Sequence, residues 1–92
     1  MIIKRGTTLA FFINIPEGLS VTDIKCQIKD HRDNLIDTLV LTKQTDIQYL
    51  AKSLDTSNYP IGELLFDIKI WTGEITFTSD TQTITVIKEV TI

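Results

Sequence analysis

Few residues of this chain could do chemistry. His31 is the only histidine, and histidine is the side chain most often used in general acid–base catalysis. It lies in the stretch DHRDN (30–34), which has the composition of a turn, so we expect a solvated loop histidine. Asp30, Asp33 and Asn34 could offer oxygen ligands to Ca²⁺, but they lack a further carboxylate at the spacing that calcium loops use. We therefore expect no metal site.

The cysteine and the serines give no better support for catalysis. Cys26 alternates with polar residues between Ile24 and Ile28, so we expect a buried thiol that packs as a small hydrophobic group. No serine lies in a G-x-S-x-G stretch, and the chain lacks a phosphate-binding loop, a dinucleotide-binding fingerprint and a C-x-x-C pair. The prediction is a protein that is not an enzyme and holds no cofactor.

Charge and hydropathy argue against two classes of partner. Nine Lys and Arg against twelve Asp and Glu give a net charge of -3, which removes the general attraction to phosphates that non-specific nucleic-acid binding needs. Lys25, Lys29 and Arg32 form a small basic strip, but no aromatic residues are interleaved with it, so we expect a solvated face. No stretch approaches the roughly 18 apolar residues of a membrane helix. We expect neither a nucleic-acid partner nor a membrane partner.

The start of the chain shares one feature with signal peptides, because Lys4 and Arg5 precede the apolar stretch LAFFINI (9–15). That stretch contains Asn14, runs straight into Pro16 and is not followed by a small-x-small cleavage site. A first strand is the better interpretation, and we expect the protein to be made in the cytoplasm.

The elements that position these residues are predicted to be strands, because hydrophobicity alternates with a period of two in several stretches. In LLFDIKIW (64–71), Asp67 lies opposite the apolar side and is expected to face solvent beside a polar neighbour on the next strand. The stretch 35–42 is rich in β-forming residues, but its period is irregular, which a bulge would explain. The last strand is expected to extend through Val90 and Ile92.

Turn signals divide the chain into six or seven short strands. Residues 61–92 predict a three-stranded meander with hairpins at TG and SDT. For residues 45–58 we favour a strand through Ile47 and Tyr49 followed by a helical turn, and the alternative is a short helix. Together these elements predict one all-β domain over residues 1–92, an immunoglobulin-like antiparallel β-sandwich of about seven strands, with a small β-barrel as the alternative.

Four residues are candidates for contact with a partner. Phe12 and Asn14 lie on the second face of a strand whose two faces are both rather apolar, as expected of a strand covered on both sides or placed at an interface. Trp71 and Tyr59 fall at or near turns, where an aromatic ring could stack on a sugar or anchor a protein contact. Alternatively, Trp71 closes one end of the core and Tyr59 packs over the YPIG turn.

The last third of the chain, YPIGELLFDIKIWTGEITFTSDTQTITVIKEVT (59–91), is similar to a pattern in small bacteriophage and prophage proteins of the tail and baseplate. There a Pro-x-Gly turn leads into an apolar-Asp-Ile strand, a short hairpin and a final strand that closes on an acidic residue, Val and Thr. The opening IIKRGTTLAFFINIP (2–16) and the CQIKD strand (26–30) also resemble such proteins. The matching residues are Pro60, Gly62, Phe66, Asp67, Ile68, Glu89, Val90 and Thr91.

This resemblance implies an immunoglobulin-like sandwich that serves as a non-enzymatic structural or attachment module of a phage tail, baseplate or fibre. Its partners would be other virion proteins or further copies of itself as a homo-oligomer, and its location would be the virion. Two alternatives stay open on the residues alone. One is a carbohydrate or cell-surface binding module that uses Trp71 and Tyr59, and the other is a small regulator that binds a host protein through a sheet edge.

Overall fold

The computed structural model describes residues 1–89, and the regular structure within that range is entirely β-strand. The nine strands are β1 (Ile2–Lys4), β2 (Ala10–Asn14), β3 (Val21–Lys29), β4 (Leu35–Thr38), β5 (Val40–Thr45), β6 (Gln48–Lys52), β7 (Gly62–Thr72), β8 (Thr76–Thr78) and β9 (Gln82–Ile87). The large sheet has the order β1-β9-β7-β3-β4 with β8 also on β7, and the small sheet has the order β2-β6-β5. The all-β prediction is confirmed. The barrel alternative is wrong, because the two sheets do not close.

One core lies between the two sheets. The inward faces of β2 and β7 meet there, and the rings of Phe11 and Phe66 lie 5.2 Å apart between their centroids. Each fully buried aliphatic side chain contributes roughly 1.5–3 kcal/mol to the driving force for folding. The buried apolar residues are Leu9, Ile13, Ile15, Cys26, Ile28, Leu39, Ala51, Tyr59, Leu64, Phe66, Ile70, Ile84 and Val86.

The irregular period of residues 35–42 has two causes. The register of β3 with β4 shifts between Ile28 and Lys29, so that Ile36 is the extra residue on β4 and the predicted bulge is confirmed. The chain then leaves the large sheet for the small one at Leu39, which is buried and donates its N–H to the Cys26 carbonyl at 3.0 Å. Leu39 lies in neither strand, so it interrupts the alternation of inward and outward side chains. This explains why residues 35–42 show no regular period of two.

The meander predicted for residues 61–92 is half right. β7 and β8 form the antiparallel hairpin, with Trp71 opposite Thr76. The second hairpin is wrong, because β9 pairs with the first half of β7, from Gly62 to Phe66. β8 and β9 therefore lie end to end along one edge of β7, which is long enough to pair with both. At their junction Ser79 donates its N–H to the Ile68 carbonyl and accepts the Ile68 N–H on its Oγ, both at 2.9 Å.

The strand favoured within residues 45–58 is confirmed as β6, and the helix alternative is wrong. Ile47 lies in the turn before this strand. The predicted helical turn after it is also wrong: the Asp55 carboxylate accepts the Ser57 N–H at 2.8 Å and holds a local side-chain turn instead.

Two further features differ from the prediction. The described residues contain nine strands instead of about seven, since β1 was not predicted and residues 35–42 form two strands. β1 pairs with β9 in parallel, so the sandwich is not purely antiparallel. The continuation of the last strand through Val90 and Ile92 lies outside the described residues, as do Val90 and Thr91 of the resemblance.

Candidate interaction surface

The strongest candidate site is the side of the small sheet that faces away from the core, which we call the outer face. Side chains directly opposite each other on paired strands point to the same side of a sheet, so the register places Phe12 beside Leu50, and Leu50 beside Thr42. Ala10, Lys52 and Val40 form the next row. Phe12 and Val40 are 59% and 44% exposed, so the apolar centre of this face lies in solvent.

The inner side of β2 fixes Phe12 in this position. Ile13 is 4% exposed and Phe11 packs on Phe66, so a shift of one residue would move both into solvent. One face of β2 therefore packs on the core, and the other face, which carries Phe12, is uncovered in this chain.

Asn14, the second candidate on β2, lies at the end of the outer face. Its register partner is Gln48, whose Nε2 donates to the Asn14 Oδ1 at 3.4 Å. Asn14 is exposed, so it borders the apolar centre with a polar rim.

Trp71 lies near the end of β7, on the side of the large sheet that faces solvent. Its indole is partly buried, and the Lys69 Nζ lies 5.2 Å from the ring centroid. This distance is within the range of a cation–π contact. One ring face of Trp71 is therefore occupied by a side chain of the same strand.

Tyr59 has no free surface. The residue is 3% exposed, and its hydroxyl donates to the Asp37 Oδ2 at 2.5 Å. Burial raises the pKa of the Tyr59 phenol well above its ordinary value, and the hydrogen bond to Asp37 acts in the same direction. The structure places this ring in the core, where it cannot stack on a sugar, and so removes the second aromatic from the glycan hypothesis.

Asp67 lies in a shallow groove of about 420 Å³ on the solvent side of the large sheet. The prediction of a polar neighbour is confirmed, because Asp67 lies directly opposite Gln27 on β3. Lys25 and Lys69 border the same groove and lie opposite each other. With carboxylates and amines mixed along its walls, the groove has no dominant charge.

The DHRDN stretch (30–34) is a turn whose polar groups are used locally. The Asp30 carboxylate accepts the N–H groups of Arg32 and Asn34 at 2.8 and 2.9 Å, and also the Asn34 side-chain amide at 3.0 Å. These hydrogen bonds lower the pKa of Asp30, and the one from the Asn34 side chain has the largest effect. Within residues 1–89 no three His, Cys, Asp or Glu side chains cluster as metal ligands would.

His31 is exposed, and its Nε2 lies 3.0 Å from the Glu63 Oε1. This contact joins the turn to the start of β7. It agrees with the prediction of a solvated loop histidine.

Cys26 is fully buried, and the prediction of a thiol that packs as a small hydrophobic group is confirmed. Burial raises the pKa of this thiol to about 12, with the negative charge of Asp67 acting in the same direction. The thiol therefore stays protonated at neutral pH, and the thiolate that nucleophilic chemistry requires does not form.

The free energy of unfolding is expected to fall as the pH rises above 9. The folded state keeps the Cys26 proton up to about pH 12, while the unfolded chain loses it near 9.0, so the stabilisation is complete below pH 9 and is lost between these values. We expect a loss of about 1 kcal/mol by pH 10, measured by urea denaturation in steps from pH 8 to pH 11.

The control is Cys26→Ala, which should show a shallower decline that starts nearer the ordinary pKa of tyrosine. Identical profiles for both proteins would contradict the burial of a protonated thiol.

Sequence reasoning found Phe12 but missed Leu50 and Val40, the residues that widen the outer face. The alternation of Leu50 with Ala51 was visible, yet only the pairing of β2, β6 and β5 brings these residues together. Ser53 and Thr56, two buried hydroxyl residues, were also missed, since no local pattern marks them.

Among the described residues there is no helix long and apolar enough to cross a membrane. Comparison with protein-family models, with curated proteins and with solved structures found no match to this chain.

Proposed function

We propose that this chain is a non-enzymatic assembly module of a bacteriophage particle, and that it joins other virion proteins through the outer face of the small sheet. The observation that carries the assembly role is Phe12, a large aromatic residue that is 59% exposed in the middle of the edge strand β2. Phe12 lies beside Leu50 on the outer face, and contiguous exposed apolar surface of this kind marks interaction sites on soluble proteins. The phage setting depends on the resemblance of residues 2–16 and 59–91 to tail and baseplate proteins.

The finer fold that we propose is the immunoglobulin-like sandwich. Two features support it: two sheets face each other across one core, and the chain crosses from one sheet to the other at Leu39. Such a sandwich presents its sheet faces and edges to partners without needing a pocket.

Phe12→Asp is expected to reduce incorporation of the protein into phage particles at least tenfold. A carboxylate on the outer face would have to be desolvated at the interface, and a cost of about 1.4 kcal/mol is already a factor of ten in binding. The measurement is immunoblotting of purified particles, produced from a phage that lacks its own copy and supplied with the variant in trans.

The matched control is Ile75→Asp. Ile75 is 55% exposed, much like Phe12, but it lies in the turn between β7 and β8 on the other sheet. We expect this variant to enter particles as the wild type does, with unchanged circular dichroism for both variants. Absence of the wild-type protein from particles, or equal incorporation of Phe12→Asp, would contradict the proposal. Unfolding of Phe12→Asp would instead place Phe12 in the core.

A further inference from the structure

The sheet edges of this protein are not equally protected against pairing with another chain. An exposed edge strand invites such pairing unless it is short, charged or carries an inward-pointing charge. β1 and β8 are three residues long, β5 carries Lys43, and β4 carries Asp37, which bonds Tyr59 on the core side. β2 has none of these devices. It is five residues long, reads AFFIN, and contains no charge, proline or glycine.

The backbone of β2 offers hydrogen-bonding groups on its free side. The Leu9 carbonyl accepts the Ser53 N–H at 2.9 Å, and the Ile15 N–H donates to the Ile47 carbonyl at 2.7 Å. The odd-numbered residues of this segment therefore direct their backbone hydrogen bonds towards β6. Because an antiparallel strand directs alternate residues to alternate sides, Ala10, Phe12 and Asn14 direct their N–H and C=O groups away from β6. These three residues also carry the outer-face side chains of β2.

We propose that β2 pairs antiparallel with β2 of a second copy, about a two-fold axis at Phe12, which joins the two small sheets into one continuous sheet. Phe12 of each copy then lies opposite Phe12 of the other, and Ala10 lies opposite Asn14. This register pairs every outward backbone group of β2 and places the two exposed phenyl rings side by side on one apolar face. The inference rests on the proposed function and names one partner for the edge strand that carries Phe12 of the outer face.

Charge favours a second copy in this orientation. Lys52 lies opposite Ala10 at one end of the small sheet. At the other end Lys43 and Asp46 form an exposed ion pair at 3.1 Å, and the exposed Glu17 follows Asn14 by three residues along the chain. The two-fold axis brings the Lys52 end of each copy alongside the Glu17 end of the other, whereas a parallel pairing would place like ends together.

The contact is small. It consists of one five-residue edge with its outer-face side chains, whereas stable interfaces use roughly 20–30 residues on each side. We therefore expect a weak dimer that forms as the protein concentration rises, and that multivalent attachment in a particle would strengthen.

The test is disulfide trapping with Ala10→Cys and Asn14→Cys, each made in a Cys26→Ala background and oxidised at high concentration. Residues opposite each other in a hydrogen-bonded antiparallel pair have Cα atoms about 5.5 Å apart, within disulfide range. A mixture of the two variants is expected to form a covalent dimer. Each variant alone serves as the matched control, because its own cysteines would lie about 13 Å apart along the strands.

Three outcomes would overturn the inference. They are no covalent dimer in the mixture, equal dimer in the single-variant samples, and a wild-type protein that light scattering shows to be monomeric at every concentration. The proposed function is tested separately: a monomer that still enters particles through Phe12 would overturn the self-pairing and leave the assembly role standing. If the covalent dimer formed but the wild-type protein were absent from particles, the self-pairing would stand and the assembly role would be overturned.

Discussion

Tyr59→Ala is expected to lower the free energy of unfolding by about 3–5 kcal/mol, the range for removing a buried aromatic ring. The ring is 3% exposed and closes the core before β7 begins, and its hydroxyl is bonded to Asp37 on β4. For a small domain this is a large part of the total stability. The measurement is urea denaturation at pH 7, followed by the fluorescence of Trp71, the only tryptophan.

The control that separates the ring from its hydroxyl is Tyr59→Phe. It keeps the packing and removes one hydrogen bond to a charged acceptor, so we expect a loss of about 1.5–3 kcal/mol. Asp37→Asn should lower the free energy of unfolding less in the Tyr59→Phe background than in the wild type, because the hydrogen bond between Tyr59 and Asp37 is already absent there. A loss below 1 kcal/mol for Tyr59→Ala would contradict the buried position of the ring.

Thr56→Val is expected to lower the free energy of unfolding by about 2–3 kcal/mol. Thr56 is 1% exposed. Its hydroxyl accepts the Gly6 N–H at 3.0 Å and donates to the Thr7 carbonyl. Valine keeps the shape of the side chain and lacks this hydroxyl. Valine would leave two backbone groups without partners, and because both hydrogen bonds are only partly buried, each loss lies at the lower end of the range of about 1–3 kcal/mol. Urea denaturation measures the total, and hydrogen exchange at Gly6 measures the local loosening.

Thr56→Ser is the matched control, since it keeps the hydroxyl and removes one methyl group. We expect it to cost about 1 kcal/mol and to leave the exchange of Gly6 unchanged. If valine and serine behaved alike at this position, the two hydrogen bonds would not stabilise the connection between β1 and β2.

The parts of the fold that the sequence predicted are those that depend on neighbours along the chain. The alternation around Asp67 placed its side chain on the solvent side, and the apolar residues on both sides of β2 marked Phe12 as unusual. Both inferences need only that successive side chains of a strand point to opposite faces.

The parts that the sequence did not predict depend on pairing between distant segments. Residues 76–87 do not themselves show that β8 and β9 share one edge of β7. Two short strands fit there because β7 is long enough to pair with both, and the length of β7 is set by a different part of the sequence. The burial of Tyr59 depends likewise on Asp37, a carboxylate 22 residues earlier in the chain. A turn signal such as NYP predicts where the chain bends and gives no information about the core beneath it.

The parallel pairing of β1 with β9 determines how the domain would carry a mechanical load. A pull on the start of β1 and on the end of β9 acts in opposite directions along two adjacent strands that run the same way. At one end of this pair the Thr85 N–H donates to the Met1 carbonyl at 2.8 Å, and at the other end the Arg5 N–H donates to the Ile87 carbonyl at 3.0 Å. The pull therefore loads all the hydrogen bonds between the two strands in shear at the same time. In an antiparallel pair joined by a hairpin, the same pull would open the bonds one after another. This arrangement suits a domain through which force passes along the chain.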